Sequence, residues 1–281
     1  MIQKILLADS GIGLTTEMLK SLRDLPTIQE ATITILHVVP RQVTTEAMED
    51  KMAEGEKILA QTVEKLDIES DRVETILRQG DPKDTVCKVA EDIKADLIIM
   101  GSRGLKRLES ILANSVSQYV FQLTNRPMLL VKDDIYVKKL KRVMVALDKS
   151  DVAQYALELA LFLLRGYKDA ELILARVNPD LDPKLLPLSK AEMENNPVVA
   201  EALDRVKRQG VKYRCVVTGG RPSQEICKLA DENDVDLLIM GSPDRRPSIA
   251  KGLPDLDRLL GTSLSDYVRV NANCPVLLAR Q

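Results

Sequence analysis

Gly101 and Gly104 follow directly on the apolar run Asp96-Leu97-Ile98-Ile99-Met100, and ten residues beyond the second glycine stands Asn114-Ser115, where a helix should begin. Glycines at a sharp turn let backbone N–H groups approach an anion, and the free N–H groups and positive dipole end of a helix start favour a phosphate. The stretch from Met100 to Val120 therefore suits a phosphate-bearing ligand; the plain alternative is a turn followed by a capped helix. Enzyme chemistry finds little support. The chain has no SGGxDS loop, no HIGH motif, no Walker lysine and no base within an evident constellation. A dinucleotide loop fits poorly, because Gly11-Ile12-Gly13 is followed by Thr16 and the second strand ends in Val38-Val39-Pro40 without an acid for the ribose. His37, the only histidine, lies within a strand-like run, and a structural role is expected of it.

The elements that must position these residues can be read in order. Residues 5–8 form a buried strand, and residues 15–25 carry apolar residues at helical spacing until Pro26 stops them. A β-branched run over 31–39, a helix over 44–66 and a strand over 72–78 follow. Asp81-Pro82 opens a helix, 97–100 is the fourth strand, 115–123 a helix, and 127–131 the fifth strand. Alternating helices and continuous apolar strands predict a doubly wound α/β fold, a five-stranded parallel sheet with helices on both faces. Its ligand rim lies beyond the strand ends at Ala8-Asp9, Val38-Val39 and Met100-Gly101.

Composition sets further bounds. At 281 residues two domains are expected. A net charge of -2 supplies no field for nucleic acid and no basic face for a membrane, and 3% aromatics without Trp offer no stacking platform for bases. The run Lys138-Lys139-Lys141-Arg142 reads as a solvated connector. Cys87, Cys215, Cys227 and Cys274 show no CxxC spacing and sit in apolar patterns, as buried reduced thiols would; neither metal nor disulfide is expected. The start MIQKILLADSG lacks the pattern of a signal peptide and no run approaches membrane-spanning length, so a cytoplasmic protein is expected.

The chain then repeats itself. QGDPKDTVCKVAEDIKADLIIMGS from Gln79 matches GGRPSQEICKLADENDVDLLIMGS from Gly219 at an offset of 140, and LHVVP pairs with ARVNP, SVSQYV with SLSDYV, RPMLLVK with CPVLLAR. Two copies of one α/β domain are expected, residues 1–137 and 138–281, packed on each other through PMLLV and PVLLA, with the intervening 133–141 segment short and ordered.

With these motifs the chain resembles the universal stress protein family in tandem form, over nearly its whole length. The family pattern G-x2-G-x9-G-[ST] is met by Gly101, Gly104 and Asn114-Ser115, with Asn114 in place of the third glycine. The resemblance implies a bound adenine nucleotide, ATP foremost, with magnesium as its accompanying ion. It sets phosphates on the Ser115 and Val116 backbone, an aspartate after the first strand on the ribose or adenine, and a valine ending the second strand at the adenine edge. In copy one the implied set is Ala8, Asp9, Val38, Met100, Gly101, Arg103, Gly104, Asn114, Ser115, Val116 and Ser117. The family's V-A-x-D is here Leu7-Ala8-Asp9, either one residue short or with Leu7 in place of the alanine.

In copy two the implied set is Ala146, Leu147, Asp148, Val177, Gly241, Gly261, Thr262, Ser263 and Leu264. That copy keeps Val145-Ala146-Leu147-Asp148 with Ser150, but its loop runs Gly241-Ser242-Pro243-Asp244, where the second glycine is lost and an acid would repel phosphate. The offset grows to 148 by Tyr267, and Arg245 and Arg246 in the extra residues read as a solvated loop or as substitute phosphate contacts. Copy one is the expected site. The function implied is a nucleotide-binding stress or signalling module more than a catalyst, with at most slow ATP hydrolysis or self-phosphorylation. The rival is an interaction module of the same fold that binds no nucleotide. A homodimer and an unidentified protein partner stay open.

Overall fold

The computed structural model describes residues 2–102, 115–182, 184, 186–243 and 263–280. In the first copy the elements are β1 (Lys4–Ala8), α1 (Thr15–Arg23), β2 (Thr32–Val39), α2 (Thr45–Leu66), β3 (Val73–Gln79), α3 (Pro82–Asp92), β4 (Leu97–Ser102), α4 (Val116–Leu123) and β5 (Met128–Lys132). The second copy has β6 (Arg142–Ala146), α5 (Asp151–Leu164), β7 (Glu171–Asn178), α6 (Lys190–Glu194), α7 (Pro197–Gln209), β8 (Tyr213–Gly219), α8 (Pro222–Glu232), β9 (Leu237–Gly241), α9 (Leu264–Asn271) and β10 (Val276–Ala279).

Local chemistry accounts for the helix starts. Thr44 accepts from the Ala47 N–H at 3.2 Å to cap α2, and Asp81 accepts from Lys83 N–H at 2.8 Å with Pro82 in the first turn of α3. Gly55 lets α2 lie close on the sheet: a Cβ there would come within 2.8 Å of Leu77 Cδ1 and 3.0 Å of His37 Cδ2. One expectation fails at the fourth strand. Gly101 is not a turn but an extended residue inside β4, because pairing with β5 carries on through Gly101 to Val131 and Ser102 to Lys132.

The strands form a single ten-stranded sheet in the order β3-β2-β1-β4-β5-β10-β9-β6-β7-β8. Each half is parallel, and the two join where β5 and β10 pair antiparallel, Leu129 opposite Leu277. The strands PMLLV and PVLLA thus meet edge to edge, which removes two unpaired edges by joining the expected five-stranded sheets into one. The cores follow the faces of the sheet and not the copies. Leu7, Ile35, Val145 and Leu174 belong to one buried layer, Leu6, Leu36, Met144 and Ile173 to the other.

Two cations lock the junction reciprocally. Lys132, ending β5, donates to the carbonyls of Val270 at 2.8 Å and Ala272 at 2.5 Å, where α9 ends. Arg280, just after β10, donates to Phe121 O and, at 2.7 Å, to Thr124 O where α4 ends, and its guanidinium lies 4.0 Å from the Phe121 ring centroid. Cations suit helix C-termini, and these are buried. Burial holds the Lys132 ammonium below its ordinary pKa. The connector packs too: Val137 and Leu140 are buried, and Ser21 Oγ donates to Val137 O at 2.6 Å. Cys227 and Cys274 are buried as expected, whereas Cys87 and Cys215 are only half-buried. No described helix is long and apolar enough to cross a membrane.

Candidate functional site

A cavity of about 510 Å³ opens at the carboxyl ends of β1, β2 and β4, against the start of α4. Of the residues expected at copy one's site, Ala8, Asp9, Val38, Met100, Gly101, Ser115, Val116 and Ser117 line it. Arg103, Gly104 and Asn114 lie outside the described residues. The volume is within the range of small-molecule sites.

The phosphate-suited end is formed by Gly101 and the head of α4. Ser115 holds the cap position, yet its side chain makes no capping bond; its Oγ lies 2.9 Å from Ser117 Oγ. The Ser115 side chain thus leaves the first turn of α4 without its own capping bond, and the N–H groups and positive dipole end of a helix start favour an anion. Space beside Gly101 is open as well. A Cβ built there would have Asp133 Oδ1 at 3.6 Å and Thr15 Cγ2 at 3.9 Å as its nearest neighbours among the described residues.

Asp9 borders the cavity and is also held by protein partners. Its carboxylate is 7% exposed, one oxygen accepting from Gly11 N–H at 2.8 Å and the other from Thr62 Oγ1 at 2.5 Å. Strand register gives the reason. Ala8 pairs with Leu36 and Met100, while Ala146 pairs with Ala175 and Met240, the repeat partners of those two residues. Ala8 and Ala146 are therefore equivalent, and Asp9 stands at the position of Leu147, one residue short of Asp148. Side chains alternate along a strand, so Asp9 turns to α2, on the face where Leu147 is buried.

Sequence reasoning missed part of the wall. His37 lines the cavity besides packing under Gly55; its Nδ1 is 2.8 Å from Asp9 O, and since a carbonyl only accepts, Nδ1 is the donor in that contact. Lys51 and Glu54 line it from α2, paired at 2.5 Å. The Lys51 hydrogen bond and charge hold Glu54 below the ordinary carboxyl range. Ser10 and Asp133 also line it. Aligning the strands on their shared alanine, KILLA with RVMVA, was the available signal for Ser10.

Copy two is built differently at the same place. α5 starts five residues after Ala146, whereas α1 starts seven after Ala8, and its first turn lies directly on Gly241. A Cβ on Gly241 would fall 2.6 Å from the Val152 carbonyl carbon and 2.8 Å from Ala153 N. Asp148 accepts from Ser150 N–H at 2.7 Å and from its hydroxyl, which turns it toward α5. Leu147 and Val177 are buried in the core layers, Ala146 is half-buried, and Arg176 Nη1 donates to Leu147 O at 3.3 Å. Ser263, unlike Ser115, does cap its helix, accepting from Asp266 N–H at 3.1 Å and donating to Asp266 Oδ2 at 2.6 Å; Leu264 packs against the core. Gly261, Thr262, Asp244, Arg245 and Arg246 lie outside the described residues.

Comparison with known proteins gives a consistent result. The model of the Universal stress protein family matches residues 1–132 and again 139–280. Universal stress protein YxiE of Bacillus subtilis is 30% identical over 148 residues, 47% of this chain and all of that protein. A universal stress protein of Methanothermobacter thermautotrophicus is 33% identical over 134 residues, 44% of this chain and 85% of its own length. Among solved structures, a universal stress protein from Archaeoglobus fulgidus superposes with a TM-score of 0.76 at 24% identity, covering 99% of this chain and 96% of that one, a likeness of fold.

Proposed function

The chain belongs to the universal stress protein family as a tandem of two copies, and from that premise we propose that it binds one adenine nucleotide, ATP, in copy one and acts as a nucleotide-responsive module more than as a catalyst. The observation that carries this reading is the cavity that joins Val38, Gly101 and the start of α4 at Ser115 to Ser117 on one rim. The base would lie against the end of β2 near Val38, and the phosphates against Gly101 and the N–H groups at Val116 and Ser117. A magnesium ion accompanying the triphosphate would be set on the side of Asp133, the acid that borders Gly101. Copy two, with α5 on Gly241 and Ser263 capping its own helix, serves as the structural half. Among the described residues, the space beside Gly101 is open and the space beside Gly241 is taken by the Val152 and Ala153 backbone.

The direct test is to heat-denature the freshly purified protein and identify released small molecules by mass spectrometry. Release of an adenine nucleotide, or saturable ATP binding by the emptied protein, is expected. No released nucleotide together with no saturable binding would favour the interaction module that works without a ligand.

A further inference from the structure

We propose that Ser10 contacts the nucleotide at the tip of β1 and sets its preference for a ribose, while Asp9 is a positioning residue that does not touch the ligand. This rests on the nucleotide reading of copy one. Register makes Ser10 the equivalent of Asp148, because Ala8 and Ala146 have matching partners on both neighbouring strands. Ser10 lines the cavity and is exposed to it, and its hydroxyl donates to Ile12 O at 3.3 Å, a long bond that a ligand can replace. Asp9 also borders the cavity but is only 7% exposed. Its carboxylate is spent on Thr62 Oγ1 and Gly11 N–H, its carbonyl on His37 Nδ1, so that it ties α2, the loop before α1 and β2 together.

Sheet order tells which part of the ligand Ser10 meets. β1 lies between β2 and β4. With the base on β2 and the phosphates on β4 and α4, the sugar falls at the tip of β1. A carboxylate at this position would only accept from the ribose hydroxyls and would bring a charge, whereas a serine hydroxyl both accepts and donates and brings none. The site is thereby a ribose reader of neutral type, weaker than a carboxylate would make it.

Calorimetric titration with ATP and with 2′,3′-dideoxyATP tests this on the full chain, in the parent, Ser10→Ala, Ser10→Asp and Asp9→Asn. The parent should bind ATP about tenfold more tightly than the dideoxy compound, the worth of one hydrogen bond of moderate strength. Ser10→Ala should bring that ratio to about one by weakening ATP alone, and Ser10→Asp should raise it. Asp9→Asn should lower the thermal midpoint and leave the ratio as in the parent. A parental ratio retained in Ser10→Ala overturns the assignment of Ser10, and a ratio lost in folded Asp9→Asn shows that Asp9 is the ligand residue. Failure of the parent to bind either nucleotide overturns the nucleotide reading and this assignment with it.

Discussion

Among the described residues, the rims of the two copies differ where a helix follows the first strand. In copy one the loop between β1 and α1 carries Gly11 and Gly13, both with positive φ of 77° and 92°, and it stands away from Gly101. In copy two Ser150 caps α5 by accepting from Ala153 N–H, the helix begins two residues sooner, and its first turn fills the space beside Gly241. The same strand order thus yields an open pocket in one half and a packed contact in the other. Among the described residues, what separates them is a helix cap two residues beyond Asp148.

That comparison can be broken by adding one methyl group to each copy. Gly241→Ala should destabilise the protein by about 2 kcal/mol, since the new Cβ would press on the Val152 and Ala153 backbone, which cannot rotate away as a side chain could. Gly101→Ala meets no described residue closer than 3.6 Å and should change stability by less than about 0.5 kcal/mol. Urea denaturation of both variants measures the difference. Equal losses would mean that the two rims are equally packed.

A smaller effect sharpens the contrast through Cys274, which stands in copy two where copy one has Arg126. Burial, followed by the charge of Asp231, pushes its thiol from the ordinary 9.0 up to about 12. The unfolded chain releases that proton near pH 9 while the folded chain keeps it, so stability is untouched below pH 9 and falls as pH rises from 9 to 12. The slope should approach about 1.4 kcal/mol per pH unit from this group. Comparing urea midpoints at pH 8.5 and 10 in the parent and in Cys274→Ala checks it; an unchanged slope in the variant would show that the thiol is accessible when folded.

Much of this was legible in the residues. The 140-residue repeat, the buried parallel strands and the pairing of PMLLV with PVLLA follow from apolar pattern and edge chemistry, which act locally. The family pattern around Gly101 and Ser115 led to the cavity. The register of Asp9 was not legible, because V-A-x-D and Leu7-Ala8-Asp9 can be aligned in two ways and only the partners of Ala8 on β2 and β4 choose between them. The fate of Gly241 was equally hidden: its neighbours come from α5, about 90 residues earlier in the chain. Asp148 looked intact because its type and spacing are right, but its carboxylate is turned to Ser150.

The central claim is that copy one alone binds nucleotide, and the number of ATP molecules bound per chain tests it most directly. Calorimetric titration of the emptied parent should give one equivalent. In Gly101→Val that equivalent should weaken by roughly a hundredfold, the loss of two hydrogen bonds to charged phosphate oxygens at about 3 kcal/mol together, with circular dichroism showing the variant folded. Two equivalents in the parent would contradict the account by giving copy two a site as well, and one equivalent that keeps its affinity in folded Gly101→Val would contradict it by removing Gly101 from the site.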